Sequence, residues 1–121
     1  MHVLIVDDSR SMRMILKRML AEIGHTDVSE AEHGADALER MESTTPQLAL
    51  VDWNMPVMNG LEFVQAVRES RRFDRVKVMM VTSESSPRLV YEALKAGADE
   101  YAMKPITREM IEDKLQLLGL G

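Results

Sequence analysis

Two adjacent aspartates, Asp7 and Asp8, close the apolar run "VLIV" and stand directly before a helix-like pattern. A third, Asp52, closes "LALV" in the same way, Thr82 closes "VMMV", and Lys104 follows "YAM". Each has an ordinary use when taken alone. Asp8 could cap a helix, Asp52 could accept turn amides, Thr82 could bond locally, Lys104 could lie on the surface, and Tyr101 could be a half-buried strand residue. Taken together they suggest chemistry. Three carboxylates in one place repel, and one keeps its proton unless a cation intervenes. Carboxylate and carbonyl oxygens suit Mg²⁺, a hard ion that retains several waters. One carboxylate could then act as a nucleophile and carry an aspartyl phosphate. A hydroxyl (Thr82) and an ammonium (Lys104) would be fitting donors to its oxygens.

For that chemistry to happen, secondary elements must bring these residues together. Short apolar runs at 3–6, 48–51 and 78–81, a weaker alternating run at 27–31 and a shorter one at 101–103 predict five strands. Unbroken apolar runs of this length suit strands covered on both faces. Helical spacing lies between them. Met12, Ile15, Leu16, Met19, Leu20 and Ile23 form one stripe, stopped by Gly24. Leu38 and Met41 mark a second helix after Gly34, and Leu61, Val64 and Val67 a third after Gly60. The fourth runs from Ser86 as N-cap through Pro87 to a stop at Gly97. The fifth carries Ile111, Leu115 and Leu118, with Thr107 as N-cap. Strict strand–helix alternation implies an α/β fold with a parallel sheet and right-handed crossovers. The expected form is a doubly wound five-stranded sheet of order 2-1-3-4-5, whose ligands bind beyond the carboxyl ends of the strands. The five candidate residues all fall at those ends.

Composition narrows the rest. The 121 residues suffice for one domain, taken as 1–121, and 45% apolar with 29% charged residues describes an ordinary globule. No apolar run reaches a bilayer span and no signal peptide is legible, so a cytoplasmic protein without membrane insertion is expected. There is no cysteine, which excludes disulfides and thiolate metal sites. A net charge of −5 argues against nucleic acid as a partner. The basic cluster "RESRRFDRVK", Arg68 to Lys77, reads as a solvated loop before a strand, and the eleven methionines read first as core filler.

The motifs "VDDS", "DWNMPVMNG", "VTSES" and "YAMKP", in this order, resemble the receiver domains of two-component response regulators, and in particular the single-domain CheY-type chemotaxis regulators. The resemblance covers essentially the whole chain. It implies the flavodoxin-like (βα)5 fold, of which chemotaxis receivers are themselves a known instance. It implies that Asp52 is the phospho-acceptor for a sensor histidine kinase. Asp8, Asp52 and the main-chain carbonyl of Asn54 would be direct Mg²⁺ ligands, with Asp7 acting through metal-bound water. Thr82 would move toward the phosphoryl group, Lys104 would pair with it, and Tyr101 would be an aromatic switch turning inward beside the fourth strand. Lys104–Pro105 would be a cis peptide. Asn54 and Glu84 would border the path of the hydrolytic water and tune dephosphorylation. The fourth helix, fifth strand and fifth helix would form the face read by an output partner such as a flagellar motor switch component, with Ser86, Arg88, Tyr101, Met103 and Lys114 as contacts. One departure is that the fourth helix starts "SSPR" where familiar chemotaxis regulators carry lysines.

The expected protein is a monomeric signalling switch, whose catalysis is limited to its own phosphoryl transfer and self-dephosphorylation. The ending "LGLG" after the fifth helix leaves no output domain in the sequence. That suits a stand-alone regulator, a receiver cut from a larger protein, or a phosphate sink or relay. Two other classes are less compatible. A Mg²⁺-dependent aspartyl-phosphate phosphatase generally carries D-x-D after its first strand and a cap, whereas this chain has D-D and no room for a cap. A flavodoxin would need a Ser/Thr/Gly-rich phosphate loop after strand one, where this chain carries two acids.

Overall fold

The computed structural model describes residues 1–121 and consists of β1 (Val3–Val6), α1 (Arg10–Glu22), β2 (Val28–Ala31), α2 (Gly34–Ser43), β3 (Leu48–Val51), α3 (Gly60–Glu69), β4 (Lys77–Thr82), α4 (Pro87–Ala96), β5 (Glu100–Met103) and α5 (Arg108–Leu117). A single 3-10 turn, Arg71–Phe73, precedes β4. The strands form one sheet of order β2-β1-β3-β4-β5, with every pairing parallel. No helix is long and apolar enough to cross a membrane.

Alternation along each strand sends side chains to two separate cores. Val3 and Ile5 join Leu48, Leu50, Met79 and Val81 beneath α1 and α5, packed by Leu16, Leu20, Ile111 and Leu115. Leu4 and Val6 join Ala49, Val51, Val78 and Met80 beneath α2, α3 and α4, packed by Met41, Phe63, Val64, Val67 and Ala93. Burying one such large side chain contributes about 1.5–3 kcal/mol. Met41, Met79 and Met80 are core filler as expected, whereas Met14 and Met103 face solvent.

Helix caps follow the sequence signals with two exceptions. Thr107 caps α5 by accepting from Met110 N–H, and Asn59 and Glu62 form a reciprocal capping box on α3. Asp8 does not cap α1; Ser9 does, accepting from Met12 N–H at 3.2 Å. Ser86 occupies the N-cap position of α4 without a side-chain cap bond, and Pro87 alone pre-sets the first turn. The Arg68–Lys77 segment also differs from a solvated loop. Arg68 belongs to α3 and donates to the carbonyls of Gly97, Phe73 and Val76 and to the Asp99 carboxylate. It pins the carboxyl ends of α3 and α4 to the turn before β4.

The register sets the site. Val6 lies opposite Val51, so Asp7 and Asp52 leave adjacent strands at the same height. Gly60 holds the returning chain close: its N–H donates to Trp53 O at 2.9 Å, and a Cβ there would come within 2.3 Å of Asp52 O. Between them, Met58 N–H donates to Pro56 O at 2.7 Å across Val57, whose φ of 66° is the one positive value at a non-glycine residue. A β-branched residue is strained there, by roughly 1–2 kcal/mol. The Val57 side chain is 79% exposed, so replacing it sacrifices little packing. Val57→Asn is expected to stabilise the fold by about 1 kcal/mol, because asparagine tolerates positive φ. Thermal unfolding should show a rise of a few degrees in Tm; an unchanged or lower Tm would mean that the turn carries no strain.

Candidate functional site

All five strand-end residues meet at the carboxyl edge of the sheet. Asp7, the residue after β1, is buried, Asp8 is exposed and Asp52 is intermediate, and one carboxylate oxygen from each lies within 4.8 Å of the others. Lys104 bridges the two deeper acids, with Nζ 3.2 Å from Asp7 Oδ2 and 3.3 Å from Asp52 Oδ2. The remaining oxygens take main-chain donors: Asp7 Oδ1 accepts from Ser9 N–H at 2.8 Å, and Asp52 Oδ1 from Trp53 N–H at 2.7 Å. Thr82 is fully buried at the end of β4, where its Oγ1 accepts from Glu84 N–H at 3.3 Å. The Lys104–Pro105 bond is cis, as the resemblance implied.

The electrostatics are unbalanced. A single ammonium faces three carboxylates. Burial holds the Asp7 carboxyl above the ordinary range; the Ser9 amide and Lys104 pull it back, and Asp52 pushes it further up. Burial is the main cause, and the neighbouring Asp52 carboxylate adds to it. The donor set contains only hard oxygens, with Asp8 open to solvent, so it fits a hard divalent cation such as Mg²⁺.

Two further contacts lead away from the acids. Asn54 Nδ2 donates to Glu84 Oε1 at 2.6 Å, joining the loop after β3 to the loop after β4. Tyr101 O–H donates to the main-chain oxygen of Glu84 at 2.6 Å. Its ring is only 8% exposed, so the inward position expected to follow phosphorylation is already occupied. The satisfied hydroxyl and the buried ring together stabilise that position without a phosphate. Burial raises the Tyr101 phenol above its usual range, and the Glu84 and Asp52 charges add to this.

The expected partner face is more divided. Ser86 and Arg88 are exposed on α4, and Met103 on β5 is 41% exposed. Tyr91 and Leu94, which sequence reasoning did not single out, extend this surface with exposed apolar area on α4. Lys114 is not free; its Nζ holds Glu100 Oε1 at 2.7 Å. Burial raises the Glu100 carboxyl, but the hydrogen bonds from Lys114 and from Tyr101 N–H outweigh it and leave the group below its ordinary range.

Sequence reasoning also overlooked Arg13. It is 8% exposed and donates to Asp7 O and to Glu30. The signal was present: Arg13, Leu16 and Leu20 share one buried stripe of α1, so a cation stands where the spacing calls for an apolar residue.

A family model for the response regulator receiver domain matches residues 3–116. The chemotaxis protein CheY1 of Helicobacter pylori is 43% identical over 119 residues, covering 98% of this chain and 96% of its own. The chemotaxis protein CheY of Pseudomonas aeruginosa is 38% identical, covering 96% and 94%. The crystal structure of the chemotaxis response regulator CheY4 of Vibrio cholerae superposes with a TM-score of 0.88 at 35% identity, covering 97% of each chain.

The acid cluster makes a definite pH prediction. Without divalent cations, Asp7 binds its proton more tightly in the folded than in the unfolded chain. Its ionisation therefore weakens the fold as pH rises from the ordinary carboxyl range of about 4 through the raised value. Asp7→Asn lacks this loss, so denaturant unfolding between pH 4 and 7 should show stability shifting in its favour relative to wild type. Mg²⁺ at a hundred times its dissociation constant should stabilise the wild type by about 2.7 kcal/mol. A parallel pH dependence in the two proteins would mean that Asp7 carries no such strain.

Proposed function

Because the chain belongs to the response regulator receiver domain family, we propose that it is a phosphorylation-switched signalling protein of a two-component system and that residues 1–121 form a single receiver. The observation that carries this reading is the convergence of Asp7, Asp8, Asp52, Thr82 and Lys104 on one sheet edge. Asp52 is the acceptor. One of its carboxylate oxygens attacks the phosphorus of a phosphohistidine on a sensor kinase, the P–N bond breaks and the imidazole leaves with the bonding pair. Asp8, Asp52 and the Asn54 main-chain carbonyl would hold Mg²⁺, with Asp7 acting through water, and the ion would offset charge on the phosphoryl oxygens.

Lys104 can keep its bond to Asp7 while turning its remaining protons to a phosphoryl oxygen on Asp52. Thr82 accepts from Glu84 N–H, which leaves its own hydroxyl proton to donate to another. Asn54 and Glu84 tune the return step. Their hydrogen bond joins the loop that follows Asp52 to the loop that follows Thr82, so opening it would free two polar groups to orient the hydrolytic water.

Output is read on the α4–β5–α5 face. Glu84 connects the site to it, because Tyr101 O–H binds the Glu84 carbonyl while Glu84 N–H binds Thr82. Movement of Thr82 toward a phosphate thus alters the stability of the inward tyrosine. Phosphate matters only through its differential interaction with two states, and a full reversal from 1:99 to 99:1 requires about 5.5 kcal/mol of such bias. The names of the relatives support a chemotaxis role; the resemblance to CheY-type regulators adds a cytoplasmic location, a histidine kinase as donor and a flagellar motor switch component as output partner. Of the expected contacts of a monomeric protein, Ser86, Arg88 and Met103 are exposed to a partner, whereas Tyr101 is buried and Lys114 is held by Glu100.

Acetyl phosphate with Mg²⁺ is expected to add one phosphoryl group to the wild type and none to Asp52→Asn, as read by intact-protein mass spectrometry; equal labelling of the variant would refute the assignment. Tyr101→Ala should retain phosphorylation at Asp52 while losing most of the phosphorylation-dependent gain in partner affinity. Both quantities are measurable on one preparation, and a full gain in the variant would remove Tyr101 from the switch.

A further inference from the structure

Arg13 is the one cation among the buried residues of α1 and of the sheet. Its guanidinium makes no bond to the carboxylates of Asp7, Asp8 or Asp52. Nη1 donates to the main-chain oxygen of Asp7 at 2.7 Å, and Nε donates to Glu30 Oε1 at 3.0 Å. Glu30 belongs to the edge strand β2 and also faces Lys17 at 3.7 Å. The preceding peptide is tied to the same strand, because Asp7 N–H donates to Ala31 O at 3.1 Å.

The Asp7 carbonyl belongs to the peptide that enters Asp8. Fixing that plane fixes where the Asp8 carboxylate can point. Asp8 itself is exposed, and only Ser9, the cap of α1, follows it before the helix. Arg13 is thus the side-chain tether of the turn that carries two of the three acids. A planar fork suits this task, since one rigid group donates in two directions at once.

We propose that Arg13 is a positioning residue for the divalent-cation site: by clamping the Asp7–Asp8 peptide to Glu30 on β2, it pre-organises the Asp8 carboxylate as a ligand. This rests on the receiver reading given above, and extends it to a residue outside the acid cluster. Charge and positioning make opposite demands. A buried guanidinium acting through its charge alone repels a dication, so neutralising it tightens Mg²⁺ binding. A clamp that orients a ligand has the reverse effect, and loss of such outer contacts typically weakens metal affinity 10–100-fold.

The test is calorimetric titration of the full chain with Mg²⁺ alone, in wild type, Arg13→Met, Arg13→Lys and Glu30→Gln, with circular dichroism confirming the fold. Arg13→Met should bind Mg²⁺ at least about 10-fold more weakly. Arg13→Lys should fall between it and wild type, because a single ammonium cannot reproduce the fork. Glu30→Gln should weaken binding less than Arg13→Met, since the amide oxygen still accepts from Nε. Wild-type or tighter affinity in folded Arg13→Met overturns the proposal. Should Arg13→Met not fold, Arg13→Lys decides, and wild-type affinity there overturns it equally. A wild-type protein that binds no Mg²⁺ would instead overturn the receiver reading itself, whatever the variants do.

Discussion

Repulsion among Asp7, Asp8 and Asp52 is the constraint to which the rest of the structure answers. Their oxygens lie within 4.8 Å of one another, with Lys104 as the only ammonium among them. Left to themselves, such groups would separate or take up protons. The fold prevents separation by placing them on strands that cannot move apart. β1 and β3 are buried along their whole length, hydrogen-bonded to each other, and packed by helices on both faces. The two cores thereby offset the cost of holding charge together at the sheet edge. The raised Asp7 carboxyl reflects chiefly its burial at that edge, with a smaller contribution from Asp52.

Rigidity at this edge comes from main-chain contacts that only particular residues permit. Gly60 lets α3 begin against the backbone of Asp52 and Trp53, where a Cβ would collide. Ser9 serves two purposes, capping α1 with its hydroxyl and giving its N–H to Asp7. At the opposite end of the helices, Arg68 ties Gly97, Phe73, Val76 and Asp99 together. With that end pinned, the α4 terminus near Ser86 has no comparable anchor, and lacks even a side-chain cap. The segment from Thr82 to the start of α4 is thus held by fewer side-chain bonds than the pinned end.

That segment is short and continuous. Thr82, Glu84 and Tyr101 are joined by two hydrogen bonds, and Asn54 reaches Glu84 from the loop that follows Asp52. Glu84 thus bonds Asn54 through its side chain and Thr82 and Tyr101 through its main chain. The inward Tyr101 is held there by its bond to the Glu84 carbonyl and by burial of its ring.

Much of this was legible before any coordinates. The α/β fold class follows from alternating periods, because apolar strand runs and helical stripes are local signals repeated over many residues; the strand order rests on the known doubly wound pattern, of which chemotaxis receivers are an instance. The acid cluster followed from strand order, since carboxyl ends of parallel strands converge at one edge. Other features were decided only by tertiary structure. Arg13 interrupts the apolar spacing of its stripe on α1, but what it donates to is decided only when packing brings Glu30 of β2 and the Asp7 carbonyl to it. Arg68 sits in a charged run whose composition suggests solvent, yet its acceptors lie about thirty residues away on α4 and its connection to β5. Tyr101 gave no sign of its inward position, which depends on a carbonyl from another loop. Periodicity records which face of an element is covered; it does not record which distant carbonyl or carboxylate will meet a long polar side chain, because those partners are set by packing between elements rather than along them.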